Sequence, residues 1–295
     1  MIKARRIGHA LFESPDIERL ADHYVNVIGL TVAARENGRI YLASKLGQLA
    51  IELRKSSSVA ECKRLSFEIS SDTRLTDVEN ELSRNGIRSE RASDTAPGIA
   101  NTLTFKDPKG TDIELFTSWN VLPQTAPLKG IGVEKLGHVA YYTPDVTSVM
   151  EFYVNILGFK VSDWIGDFFV FMRCNPDHHT INFMAGPDTR LHHIAYQLDD
   201  WSQMKVACDV LGATGNDLIW GPVRHGPGHN IAAYHRDPDN HIIELFCDLD
   251  MMIDEELGYF EPRPWHRDRP QRPKVWEPGP RTNIWGPLPS PEFRK

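Results

Sequence analysis

The chain has no surplus of positive charge, no long apolar run and no closely spaced cysteines. Its formal net charge is −7 over 295 residues. That excludes a general nucleic-acid surface, which needs a basic face. No apolar stretch reaches bilayer-spanning length, so no membrane partner is expected. The basic start Met1–Arg6 is not followed by the apolar segment of a signal peptide. The four cysteines, Cys62, Cys174, Cys208 and Cys247, form no CxxC pair. They resemble neither a zinc site nor a disulfide framework, and read as reduced thiols of a cytoplasmic protein.

What is present is a pair of matching histidine strands followed by a glutamate. Leu136-Gly137-His138-Val139-Ala140-Tyr141 and Leu191-His192-His193-Ile194-Ala195-Tyr196 share one register, and Glu244 follows in Asp237-Pro238-Asp239-Asn240-His241-Ile242-Ile243-Glu244-Leu245. Side chains alternate along a strand, so His138 and His193 project to one side and His192 to the other. Two imidazoles and a carboxylate can hold a divalent iron on one face and leave the rest of its coordination sphere open. A lone strand histidine is more often a core residue. Two in register with a later glutamate point to a metal.

The strands belong to an internal repeat. His9 matches His138 at an offset of 129, and Tyr24–Leu30 matches Tyr153–Phe159 at the same offset. Arg64 falls opposite His193 at 129, while Asp107-Pro108 and Glu114 match Asp237-Pro238 and Glu244 at 130. A register kept over about a hundred residues marks a duplicated domain. Each half reads as two βαβββ units. In each half, Ser14 or Thr143 is placed at a helix N-cap before Pro15 or Pro144. Gly29, Gly158 and Gly212 are placed at helix ends. The expected domains are 1–120, a linker at 121–132, a metal-binding domain at 133–250 and a Pro/Trp-rich tail at 251–295. Met251–Leu257 reads as a short acidic helix. Proline density favours disorder in the tail, but Trp265, Trp276 and Trp285 favour laying it on a surface, over the cavity mouth or against another subunit.

At this point the chain resembles the vicinal oxygen chelate superfamily, and within it the type I extradiol ring-cleaving dioxygenases of the catechol 2,3-dioxygenase kind. The most specific part is Arg224-His225-Gly226-Pro227-Gly228-His229-Asn230-Ile231-Ala232-Ala233-Tyr234, running on to Glu244. The resemblance implies an α+β fold of four βαβββ modules in two tandem domains, the C-terminal one holding Fe(II), with Mn(II) as the alternative, on His138, His193 and Glu244. It further implies that His179, or its neighbour His178, handles protons, and that His225 and Tyr234 contact substrate and assist catalysis. The partners implied are a small aromatic diol and O2, in a homo-oligomeric enzyme giving a 2-hydroxymuconate-semialdehyde-type product. A hydroquinone or trihydroxybenzene substrate, or a non-catalytic aromatic-binding member, is the alternative. Ala140, Trp164 and Met172 are read as substrate-binding, with Phe168 and Phe169 as further apolar wall, which suits an uncharged catechol. In the N-terminal half Arg64 would repel a metal, and His9 reads as structural.

Overall fold

The computed structural model describes residues 2–57, 60–124, 127–262, 268–279, 282–291 and 293. A βαβββ order recurs four times. The first module is β1 (Ala4–Ser14), α1 (Ile17–His23), β2 (Thr31–Glu36), β3 (Arg39–Ala43) and β4 (Leu49–Lys55). The second is β5 (Glu61–Ile69), α2 (Leu75–Arg84), β6 (Ser89–Ala96), β7 (Ile99–Lys106) and β8 (Asp112–Phe116). Together they make one sheet in the order β2-β3-β4-β1-β5-β8-β7-β6.

The second half repeats the plan with β9 (Lys135–Thr143), α3 (Val146–Asn155), β10 (Lys160–Ile165), β11 (Phe169–Arg173) and β12 (Ile181–Ala185). Its last module is β13 (Arg190–Gln197), α4 (Trp201–Ala213), β14 (Trp220–Arg224), β15 (Ile231–Arg236) and β16 (Ile242–Cys247). The tail adds a hairpin, β17 (Met252–Asp254) with β18 (Tyr259–Phe260), and a strand β19 (Lys274–Trp276). The sheet order is β14-β15-β16-β13-β9-β12-β11-β10-β19. The fold is the expected α+β arrangement of four modules.

The central strands are apolar on both faces because one side lines the core under a helix and the other lines the sheet's concavity. Leu136–Tyr141 of β9 are all buried. The covering helices turn an apolar stripe inward, as Met204, Ala207 and Leu211 do on α4, at helical spacing.

Two compact units result. One comprises Met1–Leu136, Glu151–Gly158 and Asp237–Asn240; the other comprises Gly137–Met150, Phe159–Arg236 and His241–Lys295. The ends of the expected linker at 121–132 are tied into the first unit: Leu122 N–H donates to Gly47 O, Ile131 N–H to Val27 O and Gly132 N–H to Ile28 O. Thr125 and Ala126 lie outside the described residues.

Local details correct the sequence reading. The N-cap of α1 is Asp16, whose carboxylate accepts from Arg19 N–H, and Asp145 accepts from Ser148 N–H in the same way at α3. A carboxylate two residues beyond Ser14 or Thr143 reaches the open amides better, and the prolines precede the cap. Gly29 does end the first helical segment, with φ +89°. Gly212 lies within α4, and the left-handed turn falls at Gly215. Met251–Leu257 is no helix. Met252 N–H bonds to Pro176 O, and Asp254 caps a turn through Leu257 N–H. Those partners and the β17–β18 pairing hold the segment extended instead.

Candidate metal centre

Three strands of the second unit bring the expected ligands together. His138 sits on β9, His193 on β13 and Glu244 on β16, and their ligand atoms all lie within 4.8 Å of one another. Register explains this. On the parallel pair β13–β16, Ala195 lies opposite Glu244 and His193 opposite Ile242. Strand order places β13 between β9 and β16. Gly137 lets His138 take its place: a Cβ there would stand 2.4 Å from the Phe246 ring. That ring packs 4.9 Å from the His138 imidazole.

The three groups fit a cation. Glu244 Oε2 is 3.3 Å from His138 Nε2 and 3.1 Å from His193 Nε2. His193 Nε2 is buried with no hydrogen-bond partner, although its Nδ1 lies 2.6 Å from His192 Nδ1. An orphaned buried nitrogen is costly unless something binds it. Burial above all holds His193 well below the ordinary histidine value, with Glu244 opposing. Burial alone would raise the Glu244 carboxyl, yet it is held at about 2. The neighbouring His138 lowers it most, by charge and by hydrogen bond, then His193 and His225, and Asn230 Nδ2 also donates to it at 3.0 Å. Neutral imidazoles and an ionised carboxylate are the ligand forms a divalent metal needs.

The triad opens on a cavity of about 510 Å³. His179 lines it, with its ring 4.3 Å from that of His138. Burial first, then His138, keeps His179 well below the ordinary value and so neutral. His178 is turned away to Asp163, 3.0 Å from Nε2, so His179 is the one that faces the cavity. His225 and Tyr234 form the opposite wall. Thr282 O is an acceptor only and lies 2.6 Å from His225 Nδ1, so that nitrogen carries the proton. Burial first lowers the His225 pKa, leaving neutral Nε2 to accept from the Tyr234 hydroxyl at 2.7 Å. Burial, then Glu244, pushes the Tyr234 phenol well up. Tyr234 lies directly opposite Glu244 across β15–β16.

The substrate-binding expectations need correction. Trp164 and Met172 do not line the cavity, and Ile165, Phe168, Phe169 and Phe171 do. Alternation places Phe169 and Phe171 on the cavity face of β11 and Met172, wholly buried, on the other. Ala140 shares a face with His138, but its single methyl is 1% exposed and stops short of the lining. His192 reaches the wall after all, against Tyr142 and Phe293. His229 is structural, bonded to Asp250 and Gln271.

Sequence reasoning missed Asn182, Asn230 and Phe293. Asn182 pairs with Ala140 across β12–β9 and lines the cavity. Asn230 sits inside the motif already quoted, so the signal was there. Phe293 had no sequence signal. The tail brings Gly279, Thr282, Leu288, Pro289 and Phe293 onto the cavity. Trp276 is buried and Trp285 half-exposed, while Trp265 lies outside the described residues. No helix among the described residues is long and apolar enough to cross a membrane.

Comparison with known proteins agrees with this geometry. Residues 135–245 match the glyoxalase/bleomycin resistance protein/dioxygenase superfamily. Metapyrocatechase of Pseudomonas sp. (strain CF600) is 24% identical, over 82% of this chain and 85% of its own length. The manganese-dependent 2,3-dihydroxybiphenyl 1,2-dioxygenase of Geobacillus genomosp. 3 is 25% identical, over 96% of each. The anaerobic complex of homoprotocatechuate 2,3-dioxygenase from Brevibacterium fuscum with 3,4-dihydroxyphenylacetate superposes with a TM-score of 0.83. It is 26% identical and covers 99% of this chain and 92% of that one. With a metal-fitting triad in a walled cavity, residues 135–245 match the glyoxalase/bleomycin resistance protein/dioxygenase superfamily, and the chain is an enzyme of the extradiol ring-cleaving dioxygenase kind.

Proposed function

We propose that this protein cleaves the ring of an uncharged, apolar catechol beside its diol, inserting both atoms of O2 at a non-haem Fe(II) held by His138, His193 and Glu244, and gives a 2-hydroxymuconate-semialdehyde-type product. The observation that carries the reading is the buried triad, with its unpartnered His193 Nε2, at the end of an aromatic cavity. When bound, the ferrous ion supplies a single centre at which an electron-rich diol and dioxygen exchange electrons. Mn(II) is the alternative metal. In this reading residues 1–120 are a metal-free scaffold, 133–250 the catalytic domain and the tail a cavity wall. Homo-oligomeric assembly and a cytoplasmic location belong to the same proposal.

The side chains divide the remaining work. His179, neutral and cavity-facing, takes a diol proton and later returns it, help worth roughly 10²–10⁴ in rate. Tyr234 has committed its proton to His225, so its phenol oxygen is free to accept from the substrate. Asn182, on the strand beside that of His138, adds a polar contact to the wall. Phe169, Phe171, Trp220 and Phe293 exclude water and hold the ring.

No lysine or arginine is among the described lining residues. A carboxylated substituent would therefore lose its hydration without gaining a partner. A second, uncharged ring can fill the volume.

The test is to load the protein anaerobically with ferrous iron, admit O2, and follow oxygen uptake and yellow colour with catechol, 2,3-dihydroxybiphenyl and 3,4-dihydroxyphenylacetate. We expect the biphenyl diol to have the highest kcat/KM and the carboxylate the lowest. No oxygen uptake with any catechol would overturn the reading. Uptake of only a hydroquinone or trihydroxybenzene would move the substrate class. Light scattering tests the assembly.

A further inference from the structure

Asp163, His178 and Trp276 are buried, at 3%, 1% and 7% exposure, and none lines the cavity. They are nonetheless linked to it. His178 Nε2 lies 3.0 Å from Asp163 Oδ2, and His178 Nδ1 lies 2.9 Å from His179 Nδ1. A carboxylate oxygen accepts, so His178 Nε2 carries a proton and donates it to Asp163. In the tautomer with Nε2–H, His178 has a bare Nδ1, which can only accept. The donor at that 2.9 Å contact is therefore His179 Nδ1–H, and the remaining nitrogen, His179 Nε2, holds a lone pair. One carboxylate thus settles the tautomer of two imidazoles in series.

We propose that Asp163 and His178 are positioning residues, a buried relay that fixes His179 with Nδ1 protonated and Nε2 ready to accept the substrate's proton. The inference rests on the reading above that His179 handles that proton. The step balances simply. The diol O–H bond breaks and leaves its electron pair on oxygen, while an N–H bond forms at His179 Nε2. The positive charge created on His179 is stabilised through Nδ1–H, His178 and the Asp163 carboxylate, with no proton passed to Asp163. The arrangement follows the logic by which a buried aspartate orients a catalytic histidine, extended by one ring.

The same carboxylate fastens the tail. Lys274 N–H donates to Asp163 Oδ1 at 2.9 Å and Trp276 Nε1–H to Oδ2 at 2.7 Å. Strand β19 therefore holds the first member of the relay in place, and any test must separate tail anchoring from proton positioning.

The probe is 4-nitrocatechol, whose absorption moves to the red as it loses protons, bound without O2 to the ferrous protein. Wild type should show the band of an ionised ligand. His178→Leu removes the acceptor for His179 Nδ1–H. It should weaken that band and lower kcat about 10²-fold, with KM within about threefold and iron content kept. His178→Gln offers an amide oxygen in place of Nδ1 and should recover about tenfold of the loss. Asp163→Asn should fall between them and decides the matter if the leucine variant does not fold. Trp276→Phe loses the tail's bond and keeps the relay, so its band should match wild type. An unshifted band with kcat within threefold in His178→Leu overturns the relay, as does an equal loss in the leucine and glutamine variants. A wild-type protein that holds iron and cleaves no catechol would instead overturn the reading beneath it.

Discussion

The two halves of this chain carry one site in two forms. In the second unit His138, His193 and Glu244 converge beside a cavity of about 510 Å³. In the first, His9, Arg64 and Glu114 occupy the matching positions, and the space beside His9 is about 10 Å³. The scaffolding is shared. A Cβ at Gly8 would stand 2.5 Å from the Phe116 ring, as one at Gly137 would stand 2.4 Å from Phe246.

What differs is where positive charge comes from. Arg64 reaches Glu114 at 3.5 Å and Glu52 at 2.5 Å, both carboxylates fully buried. Glu52 stands on β4 where Asn182 stands on β12: Leu11 pairs with Glu52 as Ala140 pairs with Asn182. Ser66 closes the cluster by donating to Glu114 at 2.6 Å. Burial, then Arg64, holds His9 well below the ordinary value. The guanidinium fills with protein what the second unit leaves for a metal. Under the proposed function, a resident side-chain cation makes a scaffold, and an exchangeable one makes a reaction centre.

The strongest way to break this contrast is to give the second unit the first unit's residue. His193→Arg should abolish metal binding and ring cleavage while circular dichroism stays that of the parent. Activity above one per cent, an order-of-magnitude threshold given that such groups carry most of the rate, would mean the triad is not the centre.

Next comes Arg64→Ala, which takes one cation from two buried carboxylates while Arg39 stays on Glu52 at 2.8 Å, and should cost about 3 kcal/mol in chemical unfolding. The Glu52 carboxyl is raised, by burial first, with Arg64 opposing. A raised folded value means its stabilisation is complete below the unfolded value and is lost as pH rises through the folded one. Removing Arg64 raises it further, so the deficit should grow from acid towards neutral pH. An equal deficit at every pH would deny the cation its role.

Smaller is the effect of deleting residues 277–295, which uncovers Trp220 and Tyr234 by removing Phe293, 5.0 Å from each ring. Losing one buried aromatic contact of about 1.5–3 kcal/mol predicts a KM for an aryl catechol raised roughly 10–100-fold. An unchanged KM would make the tail an ornament. Smallest is Arg64→His, which completes a two-histidine set beside Glu52 and Glu114. Metal analysis should find about one extra, weakly held equivalent, and none would show that cavity volume rather than charge keeps the metal out.

The repeat, the modules and the triad were legible before any coordinates, because each rests on a period or a spacing. Register at an offset of 129 paired His9 with His138 without knowledge of the strands' neighbours. Alternation along β11 predicted which side chains share a face. It did not tell which face meets the cavity, so Met172 was chosen beside Phe169 where Phe171 belongs. Asn182 was passed over because its chemistry matters only once β12 lies beside β9.

By itself, then, the chain's order of residues determined the four-module plan and the three side chains that could hold a metal, since local periodicity and duplication are written along one dimension. Tertiary structure alone decided the rest. It turned His179 rather than His178 to the cavity, because β10 brings the Asp163 carboxylate to His178. It also brought Phe293 to a cavity whose walls reach back along the chain to His138. Contacts between segments distant in sequence leave no periodic trace, and the free energy that selects them is burial shared among many side chains.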